Sequence, residues 1–99
     1  MNVISPRTLA AVWAEEPEAE EPLREWLAHV QGATYHTFAD VRADYGSADW
    51  VAGYIVFNIG GNKYRLIVSP NFAGRFRTFF VKFIGTHKDY DRLDLERDL

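Results

Sequence analysis

The feature that most constrains this chain is a pair of β-type runs joined by a short, glycine-rich connection. The runs Tyr54–Ile59 and Lys63–Ser69 are rich in β-branched and aromatic residues, and Gly60-Gly61-Asn62 lies between them. Such a connection predicts a β-hairpin, because glycine readily adopts the positive φ that a tight turn needs. A third β-type run, Arg75–Ile84, follows a loop that contains proline and glycine. The second half of the chain is therefore predicted to be an antiparallel meander.

The first half of the chain has the periodicity of amphipathic helices. Ser5 and Pro6 have the residue types of an N-cap and a first helical position, and the helix that they begin is predicted to end near Pro17. A second helix is predicted from Pro17 to Gln31. Its apolar stripe consists of Leu23, Trp26, Leu27 and Val30.

Two further short helices are predicted after threonine residues that can cap them. Thr37 precedes the piece Phe38–Ala43, and Thr86 precedes a terminal helix that begins at about His87. Helices followed by a sequential meander predict the α+β class, with the helices packed on one face of the sheet. The 99 residues are predicted to form a single domain that spans the whole chain, 1–99.

Composition excludes several classes of site. The chain has no cysteine, which excludes a disulfide scaffold, a thiolate nucleophile and a cysteine-based metal centre. Its three histidines are far apart in sequence, so no metal site and no cofactor is predicted. The first residues lack a signal-peptide pattern and no run reaches membrane-spanning length, which predicts a cytoplasmic protein without a membrane partner.

Charge is distributed unevenly along the chain. Residues 1–50 contain three arginines against nine acids, a net charge of −6, whereas residues 51–99 contain eight bases against five acids, a net charge of +3. The bases between residues 51 and 88, where no acid occurs, are Lys63, Arg65, Arg75, Arg77, Lys82 and Lys88. This pattern indicates a basic working face for an anionic partner, although chance clustering on a solvated surface remains an alternative.

Strand alternation assigns two of these bases to the same surface. Apolar or aromatic residues alternate in the second and third runs as Tyr64, Leu66, Val68 and as Phe79, Val81, Phe83. Both triplets are predicted to face the helices. Arg65 and Lys82 are then predicted to project together from the opposite, open face of the sheet.

These residue types are suited to RNA cleavage without metal, which needs a base, an acid and a cation beside the phosphate. Arg65 can grip two phosphate oxygens, and Lys82 can add a second positive charge. His87 can move a proton near neutral pH, and Tyr90 lies on the same helical face. The same pattern also fits solvated strand cations, a histidine at a helix end and a core tyrosine.

Two long motifs resemble the HigB family, which comprises RelE-like toxins of toxin–antitoxin systems. They are YIVFNIGGNKYRLIV at residues 54–68 and FIGTHKDYDRLD at residues 83–94. NVIS at 2–5, PEAEEPLREW at 17–26 and FADVRADYGSADWV at 38–51 are similar to the family as well, so the resemblance spans nearly the whole chain. It implies a RelE-like fold, with two N-terminal helices on a small antiparallel sheet and a short C-terminal helix.

The resemblance also implies a ribosome-dependent endoribonuclease that cuts translated mRNA. Its partners would be the ribosome, mRNA and a HigA-like helix-turn-helix antitoxin, through which alone it would reach operator DNA. By position the resemblance assigns function to Arg65 and His87, with Tyr90 close by, and RNA or ribosome contact to Asn62 and Lys63. The basic pattern adds Arg75, Arg77 and Lys88 as further contacts for RNA or the ribosome.

Two alternatives remain open at this point. The family often has arginine at the position of Lys82 and tyrosine at that of Phe80, and both differences remove groups suited to a phosphate site. A non-cleaving module that binds RNA or the ribosome and arrests translation is therefore an alternative. A purely structural protein whose basic face holds an acidic partner is another.

Overall fold

A computed structural model describes residues 1–99 and shows one five-stranded sheet with helices against it. The strands are β1 (Asn2–Ile4), β2 (Asp49–Val51), β3 (Tyr54–Ile59), β4 (Tyr64–Asn71) and β5 (Thr78–Thr86). The helices are α1 (Pro6–Glu15), α2 (Glu20–Gly32), α3 (Phe38–Asp44), α4 (His87–Asp91) and α5 (Leu95–Asp98), and a 3₁₀ turn covers Pro17–Ala19. The predicted α+β class is therefore confirmed.

The predicted hairpin and meander are both present. β3 has the predicted bounds, and Ile59 pairs with Tyr64 across the turn. Gly60 and Gly61 adopt φ values of 63° and 69°, as the tight connection requires. β5 follows as the antiparallel neighbour of β4, but it begins later than predicted, because the residues after Asn71 form a loop up to Thr78.

The prediction of a wholly antiparallel sheet is wrong. β1 pairs in parallel with β5, from Asn2 opposite Thr78 to Ile4 opposite Phe80, so the sheet is mixed. β2, which was not predicted, pairs with β3 across a turn in which Ala52 and Gly53 both have positive φ. The sheet order is β1-β5-β4-β3-β2, and this places β5 in the interior of the sheet.

The helix predictions are mostly confirmed. α1 begins at Pro6, but Ser5 has a φ of 71° and makes no side-chain capping bond, so the predicted cap is wrong. Thr37 does cap α3, since its hydroxyl oxygen accepts a 3.3 Å hydrogen bond from the Asp40 amide. No helix in the structure combines the length and the apolar character that crossing a membrane demands.

The core lies between the sheet and helices α1 to α3. Leu9, Leu23 and Val41, one from each helix, are fully buried in the same cluster as the strand residues Leu66 and Phe79. α2 also contributes Trp26, whose ring packs edge-on against that of Phe57 and parallel to that of Phe79, with centroid distances of 5.3 and 6.4 Å. This packing fixes which face of each strand points away from the helices.

Candidate active site

A β-bulge interrupts the alternation of β5 next to the predicted site. Ile67 pairs with Phe83 but Val68 pairs with Val81, so Lys82 is an extra residue between the two pairs. Val81 and Ile84 belong to the core cluster. The prediction that Phe83 faces the helices is therefore wrong, because the bulge shifts the alternation by one position. Lys82 itself is exposed.

Arg65 lies on the face of the sheet opposite the helices, since its neighbours Tyr64 and Leu66 both belong to the core cluster. It does not project into open solvent as predicted, because it is only 8% exposed. Its guanidinium folds back onto the hairpin turn: Nη2 donates to the side-chain oxygen of Asn62 at 3.1 Å, and Nη1 to the Asn62 carbonyl oxygen at 3.4 Å. The hairpin thus orients the guanidinium.

The charge of Arg65 has no counter-ion in the fold. Its hydrogen-bond acceptors are the neutral oxygens of Asn62 and the Tyr64 carbonyl, and no carboxylate lies within ion-pair distance. Buried charges in proteins are usually paired, because an unpaired charge loses solvation without compensation. A shielded guanidinium of this kind is suited to bind an anionic group such as a phosphate.

His87 begins α4 at the end of β5, and three contacts hold this junction. Thr86 and Asp89 form a reciprocal capping box with hydrogen bonds of 3.2 and 3.3 Å, so the predicted Thr86 cap is confirmed. The His87 amide donates to the Lys63 carbonyl at 3.1 Å, which ties α4 to the hairpin. The His87 Nδ1 lies 3.1 Å from a carboxylate oxygen of Asp91, and this contact leaves Nε2 free on an exposed side chain.

Gly85 makes the close approach of α4 possible. A Cβ atom at this position would lie 2.8 Å from the Phe83 Cζ and 3.2 Å from the Asp89 Cβ. Any side chain here would therefore press against both the strand and the capping residue. In the sequence Gly85-Thr86-His87, the glycine thus leaves room for Phe83 and Asp89, the threonine caps α4, and the histidine presents an exposed imidazole.

The register places Arg65 and His87 near each other. Arg65 pairs with Gly85 and Tyr64 pairs with Thr86, so His87 follows directly beside the hairpin. Lys82 lies three residues before Gly85, which corresponds to about 10 Å along a strand. The structure therefore brings the backbone of His87 close to the hairpin that contains Asn62 and Arg65, whereas the backbone of Lys82 lies about 10 Å away from Gly85.

Tyr90 lies one helical turn after His87 and is half-buried. It lines a cleft of about 550 Å³ between the C-terminal segment and the β2–β3 turn, together with Val51 and Leu93. The carboxylates of Asp91 and Glu96 also border this cleft. The tyrosine thus lies one turn from the histidine and lines a cleft with apolar side chains, whereas His87 is exposed.

The predicted RNA contacts divide into two groups. Asn62, Lys63 and Lys88 lie at the end of the sheet that carries His87 and are exposed. Lys63 already has a partner, because its Nζ lies 2.5 Å from a carboxylate oxygen of Glu18; this contact raises the pKa of Lys63 and lowers that of Glu18. Arg75 and Arg77 lie before the opposite end of β5 and cannot belong to the same site.

Two contributors to this site were not predicted from the sequence. The Asp91 carboxylate that holds the His87 ring could have been found, because residues four apart on a helix are neighbours. The role of Gly85 depends on the packing of Phe83 and Asp89, and no local pattern indicates it. No three histidine, aspartate or glutamate side chains are grouped as metal ligands would be.

The fold and this arrangement define a small α+β protein with an exposed histidine beside a shielded arginine at one end of its sheet. The model of the HigB toxin family, a RelE-like toxic component of a toxin–antitoxin system, matches residues 19–93, about three quarters of the chain. The chain belongs to this family, and the resemblance seen in its sequence motifs is confirmed. Membership implies an antitoxin partner. A search of curated proteins found no match to the chain.

Proposed function

We propose that this toxin is a ribosome-dependent endoribonuclease that cuts translated mRNA by acid–base chemistry without metal. The observation that carries the proposal is Arg65, a residue that is only 8% exposed and whose guanidinium is oriented by Asn62 and has no counter-ion. An RNA phosphate is the anion that a toxin of this family meets most readily. His87, whose imidazole is exposed, directly follows Gly85 and Thr86, the strand residues that pair with Arg65 and Tyr64.

In the proposed reaction, the 2′-hydroxyl oxygen of RNA attacks the adjacent phosphorus and the 5′-oxygen of the next nucleotide leaves. Arg65 stabilises the charge that builds up on the phosphoryl oxygens, an effect worth about 10²–10³-fold for one preorganised donor. His87 transfers one of the two protons, which contributes about 10²–10⁴-fold. Asp91 is a positioning residue that fixes the His87 ring. Lys82 is a second candidate for stabilising the charge on the phosphoryl oxygens, and Tyr90 is a second candidate for transferring a proton.

The proposed dependence on the ribosome follows from two things that this site lacks, a second proton-transfer group like His87 and a means of orienting the RNA. A single exposed imidazole provides one proton-transfer group, and the second must come from Tyr90 or from groups outside the chain. A substrate held in the decoding site would be bent into the geometry of in-line attack, which supplies the orientation that a small toxin cannot impose alone. The site of action is then the cytoplasm. A HigA-like helix-turn-helix antitoxin would silence the toxin and link it to operator DNA.

The test is primer extension on an mRNA translated by purified ribosomes in the presence of the toxin. Wild type is expected to produce cuts within the reading frame, and Arg65→Ala and His87→Ala are expected to lose them. Arg65 is buried, so its replacement by alanine can prevent folding. In that case Arg65→Lys, which keeps the charge, takes the place of the alanine variant. Arg7→Ala and His36→Ala remove exposed side chains of the same types from the acidic half and should cut like wild type.

A non-cleaving translation arrest factor is the second candidate. It is favoured because Lys82, on the bulge, stands where the family often has an arginine, whose planar guanidinium is better suited to bind a phosphate. It predicts arrested ribosomes on intact transcripts. If wild type stops translation while the mRNA remains full length, this second candidate replaces the first. If Arg65→Ala and His87→Ala cut as well as wild type, the assignment of the site is wrong.

A further inference from the structure

A second basic site lies at the opposite end of β5 from His87. It is a cleft of about 190 Å³ between the loop that precedes β5 and the first strand, with Asn2, Thr34, Arg75, Phe76 and Arg77 among its walls. No carboxylate lines it. The nine residues of β5 lie between Arg77 and His87, which corresponds to about 30 Å of extended chain. The cleft is therefore separate from the proposed active site.

The two arginines of this cleft are free to bind an anion. Neither Arg75 nor Arg77 has a carboxylate within ion-pair distance. The Nε of Arg77 is buried and has no hydrogen-bond acceptor in the fold, an arrangement that costs free energy. The guanidinium nitrogens are donors only, so the missing partner is an acceptor, and a phosphate offers several.

Phe76 stands between these arginines and is 72% exposed, the most exposed of the large apolar side chains. An aromatic ring held on the surface beside cations is typical of sites that stack an unpaired base. The backbone around it is held in place: the Arg77 carbonyl accepts from the Asn2 amide at 2.8 Å, and the Phe76 carbonyl accepts from the Thr78 hydroxyl at 2.9 Å. The loop thus presents the ring and the guanidinium groups together.

We propose that this cleft binds one nucleotide of single-stranded RNA. Arg75 and Arg77 hold the phosphate, Thr34 can add a hydroxyl contact, and the base stacks on Phe76. The proposal rests on the proposed function, since an RNA-cutting toxin is the setting in which such a subsite would act. Because about 30 Å of strand separates the cleft from His87, it binds a nucleotide other than the one that is cut. It therefore affects affinity and not the chemical step.

The experiment measures binding of a fluorescein-labelled, single-stranded 12-nucleotide RNA with 2′-O-methyl riboses, which the proposed reaction cannot cleave. Fluorescence anisotropy is recorded over a range of salt concentrations for wild type and for Arg75→Gln, Arg77→Gln and Phe76→Ala. The matched controls are Arg7→Gln and Trp50→Ala, which remove an exposed arginine and an exposed tryptophan elsewhere. Circular dichroism establishes that each variant is folded.

Phe76→Ala is expected to weaken binding about 5- to 150-fold, the range for loss of one base–aromatic stack. Each arginine variant is expected to weaken binding and to reduce the slope of log affinity against log salt by about 0.7, the value for one phosphate contact on a single strand. Both controls are expected to bind like wild type. Should Arg77→Gln fail to fold, Arg75→Gln and Phe76→Ala carry the test.

The outcomes separate this proposal from the proposed function. If wild type cuts no mRNA but the variants still lose affinity for the RNA, the nuclease fails and the subsite stands. If the variants bind the RNA as tightly as the two controls, the subsite is overturned whatever the cleavage result. The same anisotropy measurement is made with fluorescein-labelled polyglutamate. If the variants retain the RNA and lose affinity for polyglutamate, the subsite is also overturned, because the cleft would then be a site for an acidic peptide.

Discussion

Replacing Gly85 with alanine tests the link between the hairpin and the candidate active site. The added Cβ would lie 2.8 Å from the Phe83 Cζ and 3.2 Å from both the Cβ and a carboxylate oxygen of Asp89. Carbon atoms do not approach within 3 Å without repulsion, so α4 must move outward or the Phe83 ring must turn away. Outward movement of α4 strains the capping box and the 3.1 Å bond between the His87 amide and the Lys63 carbonyl, whereas rotation of the Phe83 ring alone leaves the new Cβ 3.2 Å from Asp89.

The expected loss of stability follows from the one methyl group that the substitution adds. Overpacking of one methyl group costs about 1–3 kcal/mol. For a domain of this size, each kcal/mol lowers the melting temperature by about 4–8 °C, so Gly85→Ala is expected to melt about 5–20 °C below wild type. A displacement of His87 by about 1 Å is expected to reduce cleavage up to about 100-fold. Thermal unfolding followed by circular dichroism measures the first effect, and primer extension on translated mRNA measures the second.

A control and a rescue sharpen this prediction. Gly46 has an ordinary backbone conformation, and a Cβ added to it would have no other atom within 4 Å, so Gly46→Ala should melt and cut like wild type. Adding Phe83→Leu to Gly85→Ala removes the closest ring atom and should restore part of both losses. If Gly85→Ala has the stability and activity of wild type, α4 is not seated on the strand as described, and the positioning of His87 needs another explanation.

Three further predictions concern stability. Leu66→Ala, at a fully buried position, should lower the unfolding free energy by about 2–5 kcal/mol in urea titration, and a smaller loss would mean that the core collapses around the gap. Burial raises the pKa of Tyr35, and it raises that of Tyr45 to about 12; both residues favour the protonated form when folded, so stability should be complete below pH 10 and fall above it. Tyr35→Phe should flatten that alkaline loss, and an unchanged pH profile would contradict the assignment. The Glu18–Lys63 pair is exposed, so Glu18→Gln should change the free energy of unfolding little. The coupling energy of the pair, measured in a double-mutant cycle, should shrink with added salt. It should also shrink as pH falls below 4.5, because the pKa of Glu18 is lowered in the folded state and the stability that its charged form contributes is lost as the carboxylate is protonated.

The parts of the fold that could be predicted are those that depend on neighbouring residues. The turn at Gly60-Gly61 and the apolar alternation on either side of it specify the β3–β4 hairpin without reference to the rest of the chain. The parallel pairing of β1 with β5 could not be predicted in this way, because Asn2–Ile4 is too short to have a periodicity and its partner lies at the other end of the sequence. Only the completed sheet, with an unpaired β5 edge, provides a place for it.

The candidate site could be predicted in its residue types but not in its geometry. Alternation assigned Arg65 to the correct face, because Tyr64 and Leu66 on either side of it are core residues. It could not show that the side chain would fold back onto Asn62, since that depends on the shape of the turn. The bulge at Lys82 has no glycine or proline to mark it, and a strict period of two residues therefore misassigned Phe83.

The net charge of −3 conceals an uneven distribution along the chain, with −6 in residues 1–50 and +3 in residues 51–99. At one end of β5 a single shielded guanidinium lies beside an imidazole, and at the other end two guanidinium groups flank an exposed ring. Four of the nine acids of the first half lie on α2 and the 3₁₀ turn before it, where Glu18 and Glu20 pair with Lys63 and Arg24. A ligand that follows β5 from one end to the other thus meets cations at both ends, and screening by salt should weaken its binding at the exposed cleft more than at the shielded guanidinium.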